Sequence, residues 1–162
     1  MNKLSAHLFG LIRILLGSIF LWAFVDKTFG LGFATASGKA WINGVSPTAG
    51  FLKFAVHGPL ADFFHSLAGQ GWVDALFMAG LLLIGLSLIL GVGMHIACGM
   101  GALLMAFMFL SLLPPANNPV IDEHVIYALL LLALATSNAG DAWGLGKRWK
   151  KLPLVKRFPF LA

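Results

Sequence analysis

The 162-residue chain is 59% hydrophobic and only 10% charged, with a mean hydropathy of +0.90. A soluble domain is about 45–50% apolar and about 25% charged, so this chain lacks the polar surface to coat a water-facing core and reads as a single integral membrane domain, 1–162. The net charge of +5 does not point to nucleic acid, because six of the eleven Lys and Arg residues lie between Lys147 and Arg157, where they read as a cytoplasmic membrane anchor.

The first predicted span covers about 8–27 and closes with Asp26-Lys27. Its apolar run carries Arg13 and lacks a small-residue cleavage site before Asp26, so it reads as a span rather than a cleavable signal. The rise from Arg13 to Asp26 is about 20 Å, which puts Arg13 in the opposite half of the bilayer. It can snorkel to the nearer surface or find a partner on another helix. Asp141, or helix-end carbonyls around Asn138, would be that partner, giving Arg13 a fastening role between the first and fourth helices.

Residues 30–71 leave the membrane as an outer lid. Ser46-Pro47 has the N-cap and N1 arrangement ahead of Phe51, Leu52 and Ala55. Pro59 opens a second short helix, with Leu60, Phe63, Phe64 and Leu67 at helical spacing. Both are too short to span and are expected to lie along the interface. A second span over about 73–90 carries Asp74 near its start, and Gly91 to His95 make a tight return. A third span, about 96–113, contains the close-packing pair Ala97 and Gly101 and ends at Pro114-Pro115. A fourth, about 122–140, precedes the basic tail, 141–162. No internal repeat stands out. The fold class expected is thus all-α, a four-helix membrane bundle with a long outer loop bearing short interfacial helices. Four spans put both termini on one side, and the basic tail puts that side in the cytoplasm. The lid, Asp26, Lys27, Asp74 and the stretch Asn117 to His124 then share the outer face.

That stretch gathers two amides, two carboxylates and an imidazole in eight residues. Polar groups so dense beside a membrane span are a functional candidate. They also read as a helix start, with Asp122 as cap, Glu123 at the positive helix end and Pro119 fixing the entry. Glu123, His124 and Tyr127 lie three and four residues apart, on one side of the fourth helix. Such a set can exchange protons with a quinone carbonyl at the lipid boundary, or form a structural hydrogen-bonded knot. Lys27, Asn117, Asn118 and Asp122 are the candidate substrate-binding groups, with Lys27 to hold an anion. Asp26, Asp74, Asp141 and Arg13 are the candidate structural polar groups. The five histidines show no metal-ligand spacing, no phosphate-cradling glycine motif is present, and the single Cys98 excludes an internal disulfide or a CxxC pair.

Arg13, Gly17, Phe20 and Lys27 resemble the opening pattern of the DoxX/DoxD-like membrane proteins. The runs from Phe20 to Lys27 and from Lys39 to Gly44 are similar to the DoxD-type branch. So are Asn117-Asn118-Pro119 with Asp122-Glu123-His124, and Asn138-Ala139-Gly140-Asp141 with Trp143 to Gly146. The resemblance covers nearly the whole chain. It implies a four-helix bundle in a prokaryotic cytoplasmic membrane and a large-subunit relative of thiosulfate:quinone oxidoreductase. The implied reaction oxidises thiosulfate to tetrathionate and reduces membrane quinone, with a small DoxA-like partner subunit. It supplies no catalytic residue set. The alternative expectation is a non-catalytic scaffold or lipid-binding module of a redox complex, with a homo-oligomer also open.

Overall fold

The computed structural model describes residues 2–162, and every regular element among them is helical. Helix α1 spans Lys3–Phe29. A 3-10 turn at Trp41–Asn43 and the short helices α2, Ala49–Phe54, and α3, Ala61–Ser66, form the lid. Helices α4, Gly71–Leu90, α5, Met94–Ser111, and α6, Glu123–Thr136, follow. A 3-10 turn at Ala139–Asp141, the short helices α7, Gly146–Trp149, and α8, Pro153–Arg157, and a last turn at Pro159–Leu161 complete the chain. One end of the bundle, the lid end, gathers the end of α1 and the start of α6. The other, the tail end, gathers the start of α1, the α4–α5 turn and residues 137–162.

Three helices, α1, α4 and α5, are long and apolar enough to cross a membrane. Helix α6 is shorter than the expected span over 122–140. Its 14 residues rise about 21 Å, against a hydrocarbon core of about 30 Å. The cause lies in Thr136-Ser137-Asn138, whose short polar side chains favour helix ends. Ser137 turns to an extended backbone, and the hydroxyls of Thr136 and Ser137 donate to the carbonyls of Ala133 and Leu134. The chain then leaves helical geometry and directs the Ala139 and Ala142 carbonyls at Arg13.

The other boundaries have equally local reasons. Helix α1 begins before residue 8 because the Asn2 carboxamide accepts the Ser5 N–H at 2.8 Å and caps it. Helix α5 stops at Ser111, since residues preceding Pro114 are driven out of the helical region. Ser46 accepts the Ala49 N–H at 3.0 Å, so the turn 46–49 precedes α2, which starts at Ala49 rather than at Pro47.

The core runs along the bundle axis through Leu16 and Phe20 of α1, Met78, Leu81, Ile84 and Leu88 of α4, Cys98 and Met105 of α5, and Leu131 and Leu134 of α6. The opposite faces are just as apolar: Leu15, Leu76, Leu83 and Leu129 are each more than half exposed. Helices apolar all round belong in lipid. A second small cluster, Leu52, Val56 and Phe64 against Val73 and Leu110, seats the lid on the ends of α4 and α5.

Close approach of α1 and α4 depends on two glycines. A methyl group at Gly17 would sit 2.9 Å from the Leu88 Cβ, and one at Gly85 would sit 2.8 Å from the Leu21 backbone nitrogen. The Gly101 position likewise meets Leu131 of α6 at 3.1 Å. The substitution Gly85→Val should therefore destabilise the protein by about 1–3 kcal/mol, through overpacking against backbone. Gly80→Val on the same helix, where nothing lies within 4 Å, should be neutral. Thermal unfolding in one detergent compares them, and equal midpoints would refute the packing assignment.

Candidate functional site

The head of α6 is built by its cap. Asp122 has extended backbone, and its Oδ1 accepts the N–H groups of His124 at 3.0 Å and Val125 at 3.4 Å. Its Oδ2 lies 2.8 Å from the His124 Nδ1. One carboxylate thus satisfies the helix start and orients an imidazole. With the Nδ1 proton held toward Asp122, the His124 Nε2 is left as the free basic position. Both side chains are mostly buried, at 15% and 12% exposure. Upstream, the Asn118 carboxamide accepts the N–H groups of Val120 and Ile121, so Asn118 shapes the turn into α6. Asn117 is exposed and Glu123 projects into the surroundings. Tyr127, half-buried, lays its ring against the core one turn below.

The lid-end carboxylates Asp26 and Asp74 are engaged by the lid. Asp26 is 2% exposed and accepts the Thr35 N–H at 2.8 Å and the Phe33 N–H at 3.4 Å. Asp74 is 7% exposed, and its Oδ1 accepts the Ser46 hydroxyl at 2.8 Å and the Thr48 hydroxyl at 2.5 Å. Two carboxylates, one from α1 and one from α4, therefore pin the loop that follows α1 and the segment that leads into α2. Lys27 is half-buried, and among the described residues it makes no ion pair with Asp26, Asp74 or Glu123. The structure unites Asp122 with His124 but forms no hydrogen bond between that pair and Lys27, Asn117, Glu123 or Tyr127.

At the tail end, Arg13 is 0% exposed. Its guanidinium donates to the carbonyls of Leu88, Ile89 at 2.8 Å, Ala139 at 3.2 Å and Ala142 at 3.0 Å. Asp141 is not its partner. The Lys150 ammonium lies 3.0 Å from the Asp141 Oδ1 and also donates to the Asn138 side chain at 2.8 Å. Two cavities open at this end. One of about 110 Å³ lies between His95, Ser137 and Trp149, and a more open one of about 400 Å³ lies between Lys3, His7 and Lys147. Among the described residues no three His, Cys, Asp or Glu side chains converge as a metal site.

Sequence reasoning assigned no partner to His57. Its exposed ring bridges two carbonyls, with Nδ1 3.0 Å from the Ala55 oxygen and Nε2 3.1 Å from the Pro114 oxygen. Its own N–H donates to the Ser111 carbonyl at 3.3 Å. The lid is thereby joined to the loop leading to Asn117. Neutral imidazole carries one N–H and satisfies one of the two oxygens, whereas imidazolium satisfies both. The Ala55 and then the Pro114 carbonyl accordingly raise the His57 pKa above its ordinary value. A raised native pKa stabilises the bridge fully below about pH 6.5, the ordinary histidine value, and the effect fades as pH rises through the native pKa. Hydrogen exchange at the His57 amide, corrected for the intrinsic pH dependence, should be slower at pH 5.5 than at pH 8.5. In His57→Gln that difference should vanish, and a wild type without it would contradict the bridge.

Compared with protein-family patterns, characterised proteins and solved structures, the chain matches none.

Proposed function

We propose that the chain is a four-helix membrane subunit of a quinone-linked oxidoreductase, resembling the DoxD type, with both termini in the cytoplasm and the lid outside. In this reading α6 and the turn after it complete the crossing that the helix alone is too short to make. The observation that carries the proposal is the Asp122–His124 pair at the lid end, with the Glu123 carboxylate beside it and Tyr127 on the next turn.

A quinone at the lipid boundary gains two electrons and two protons, one proton on each carbonyl oxygen. His124, oriented through Nδ1, presents Nε2 for proton exchange, and Glu123 links that position to water. Two thiosulfate dianions supply the electrons on joining through a new sulfur–sulfur bond as tetrathionate. Lys27, without a carboxylate partner, is the cation placed to draw them. A small DoxA-like subunit would complete the anion site above the lid.

A second reading, a scaffold for such a complex, is favoured by a different observation. Asp26 and Asp74 are consumed by the lid, and two cavities open at the tail end, away from His124. Reduction of a soluble quinone by thiosulfate, followed by absorbance with the protein in lipid nanodiscs and with partner subunit added, separates the two. The oxidoreductase reading expects turnover that falls about 100-fold or more in His124→Asn, the usual scale of acid–base catalysis. No turnover with or without the partner subunit would leave the scaffold, and turnover indifferent to His124→Asn would remove His124 as the proton handler.

A further inference from the structure

The open cleft at the tail end has a composition that none of the foregoing uses. Its walls are the first turns of α1, with Lys3, Ala6 and His7, the turn at Asn138, Asp141 and Ala142, and Lys147 at the start of α7. Its volume of about 400 Å³ falls within the usual range for small-ligand sites, roughly 300–1,000 Å³. The one acid on its wall, Asp141, is already neutralised by Lys150 at 3.0 Å. Lys3 and Lys147 are exposed and make no ion pair among the described residues. The cleft therefore carries two uncompensated cations, and His7 and Asn138 share its walls.

An apolar track leaves the cleft along α1. Leu4, Leu8, Leu11 and Leu15 recur at spacings of four, three and four on α1 and are all exposed, forming a stripe adjacent to the row of Lys3 and His7. Trp143, 62% exposed, packs its ring in a tilted contact against that of His7, a wall of the cleft, with centroids 5.1 Å apart. Cations at one level, an amphipathic aromatic beside them and an alkyl track running away beneath match the order of parts in an anionic phospholipid.

We propose that the cleft between the start of α1, the turn at 138–142 and α7 holds the headgroup of one anionic phospholipid, whose acyl chain follows the leucine stripe of α1. The phosphate sits between Lys3 and Lys147, and Asn138 and His7 offer hydrogen bonds to the headgroup. The site rests on the reading of the tail end as a cytoplasmic membrane surface, and it binds a discrete lipid where the rest of the basic tail attracts the bilayer diffusely.

Native mass spectrometry of the purified protein, delipidated and re-equilibrated with phosphatidylglycerol or phosphatidylcholine, tests this. Wild type should retain one phosphatidylglycerol in preference to phosphatidylcholine. Lys3→Gln with Lys147→Gln should reduce that preference by at least about fivefold, the effect of one basic residue at an anionic surface. Lys156→Gln with Arg157→Gln removes the same charge outside the cleft and should keep the retained lipid. Equal loss in both double variants would show diffuse attraction and overturn the site, as would equal retention of the two lipids by wild type. Thermal stabilisation by inorganic phosphate equal to that by phosphatidylglycerol would assign the cleft to a free anion instead. A protein that stays monodisperse without detergent would overturn the membrane reading itself, which lipid retention alone does not address.

Discussion

The buried guanidinium of Arg13 is the interaction on which the tail end depends. A helix leaves its last four carbonyls without intrahelical partners, and those of α4 are all accounted for. The Ser87 carbonyl accepts from Gly91 and Val92, Leu88 and Ile89 accept from Arg13, and Leu90 accepts from Leu145 at 2.8 Å. The same side chain reaches Ala139 and Ala142 after α6. A planar fork of five donors can serve carbonyls from two segments at once, at the helix end where a cation is favoured. Access requires glycine. A methyl at Gly91 would come within 2.7 Å of the Gly140 oxygen, and one at Gly144 within 3.0 Å of the Arg13 guanidinium.

The lid end follows the complementary chemistry. Where the tail end gathers carbonyls around a cation, Asp26 and Asp74 gather N–H and hydroxyl donors around carboxylates. Between these two polar layers α1, α4, α5 and α6 carry no charged side chain, so the few charged residues near the helix ends mark places where irregular backbone must be held. Asp122 belongs to this pattern by its capping role. His124 departs from it, since an imidazole oriented at one nitrogen and free at the other is more than a helix start requires.

Much of this was legible in the sequence. Hydropathy located α1, α4 and α5, and the cost of a charge in lipid singled out Arg13 with a carbonyl cluster near Asn138. The early end of α6 was written in Thr136-Ser137-Asn138, whose short polar side chains favour helix ends, but nothing local shows that the backbone after it turns its carbonyls toward Arg13. Asp141 looked like the arginine's partner because the tail was read as a separate anchor. Instead α7 folds back and brings Lys150 to it. The three- and four-residue spacing rule grouped His124 with Tyr127 and missed Asp122. A cap lies outside the helix, so its side chain folds over the first turn and meets residue i+2. The contacts of Gly17, Gly85 and His57 join residues far apart in sequence, and no single-chain periodicity encodes them.

The most direct test of the arginine's place in this account is thermal unfolding of Arg13 variants in a single detergent. Arg13→Leu leaves carbonyls of α4 and of the turn after α6 unpaired, and Arg13→Lys offers a point charge too compact to serve both segments. Both variants should unfold more than about 5 °C below wild type, and Asp141→Asn added to Arg13→Leu should lower the midpoint further, since its partner is Lys150. An Arg13→Leu protein that unfolds at the wild-type temperature, or one that Asp141→Asn restores, would contradict the carbonyl clamp.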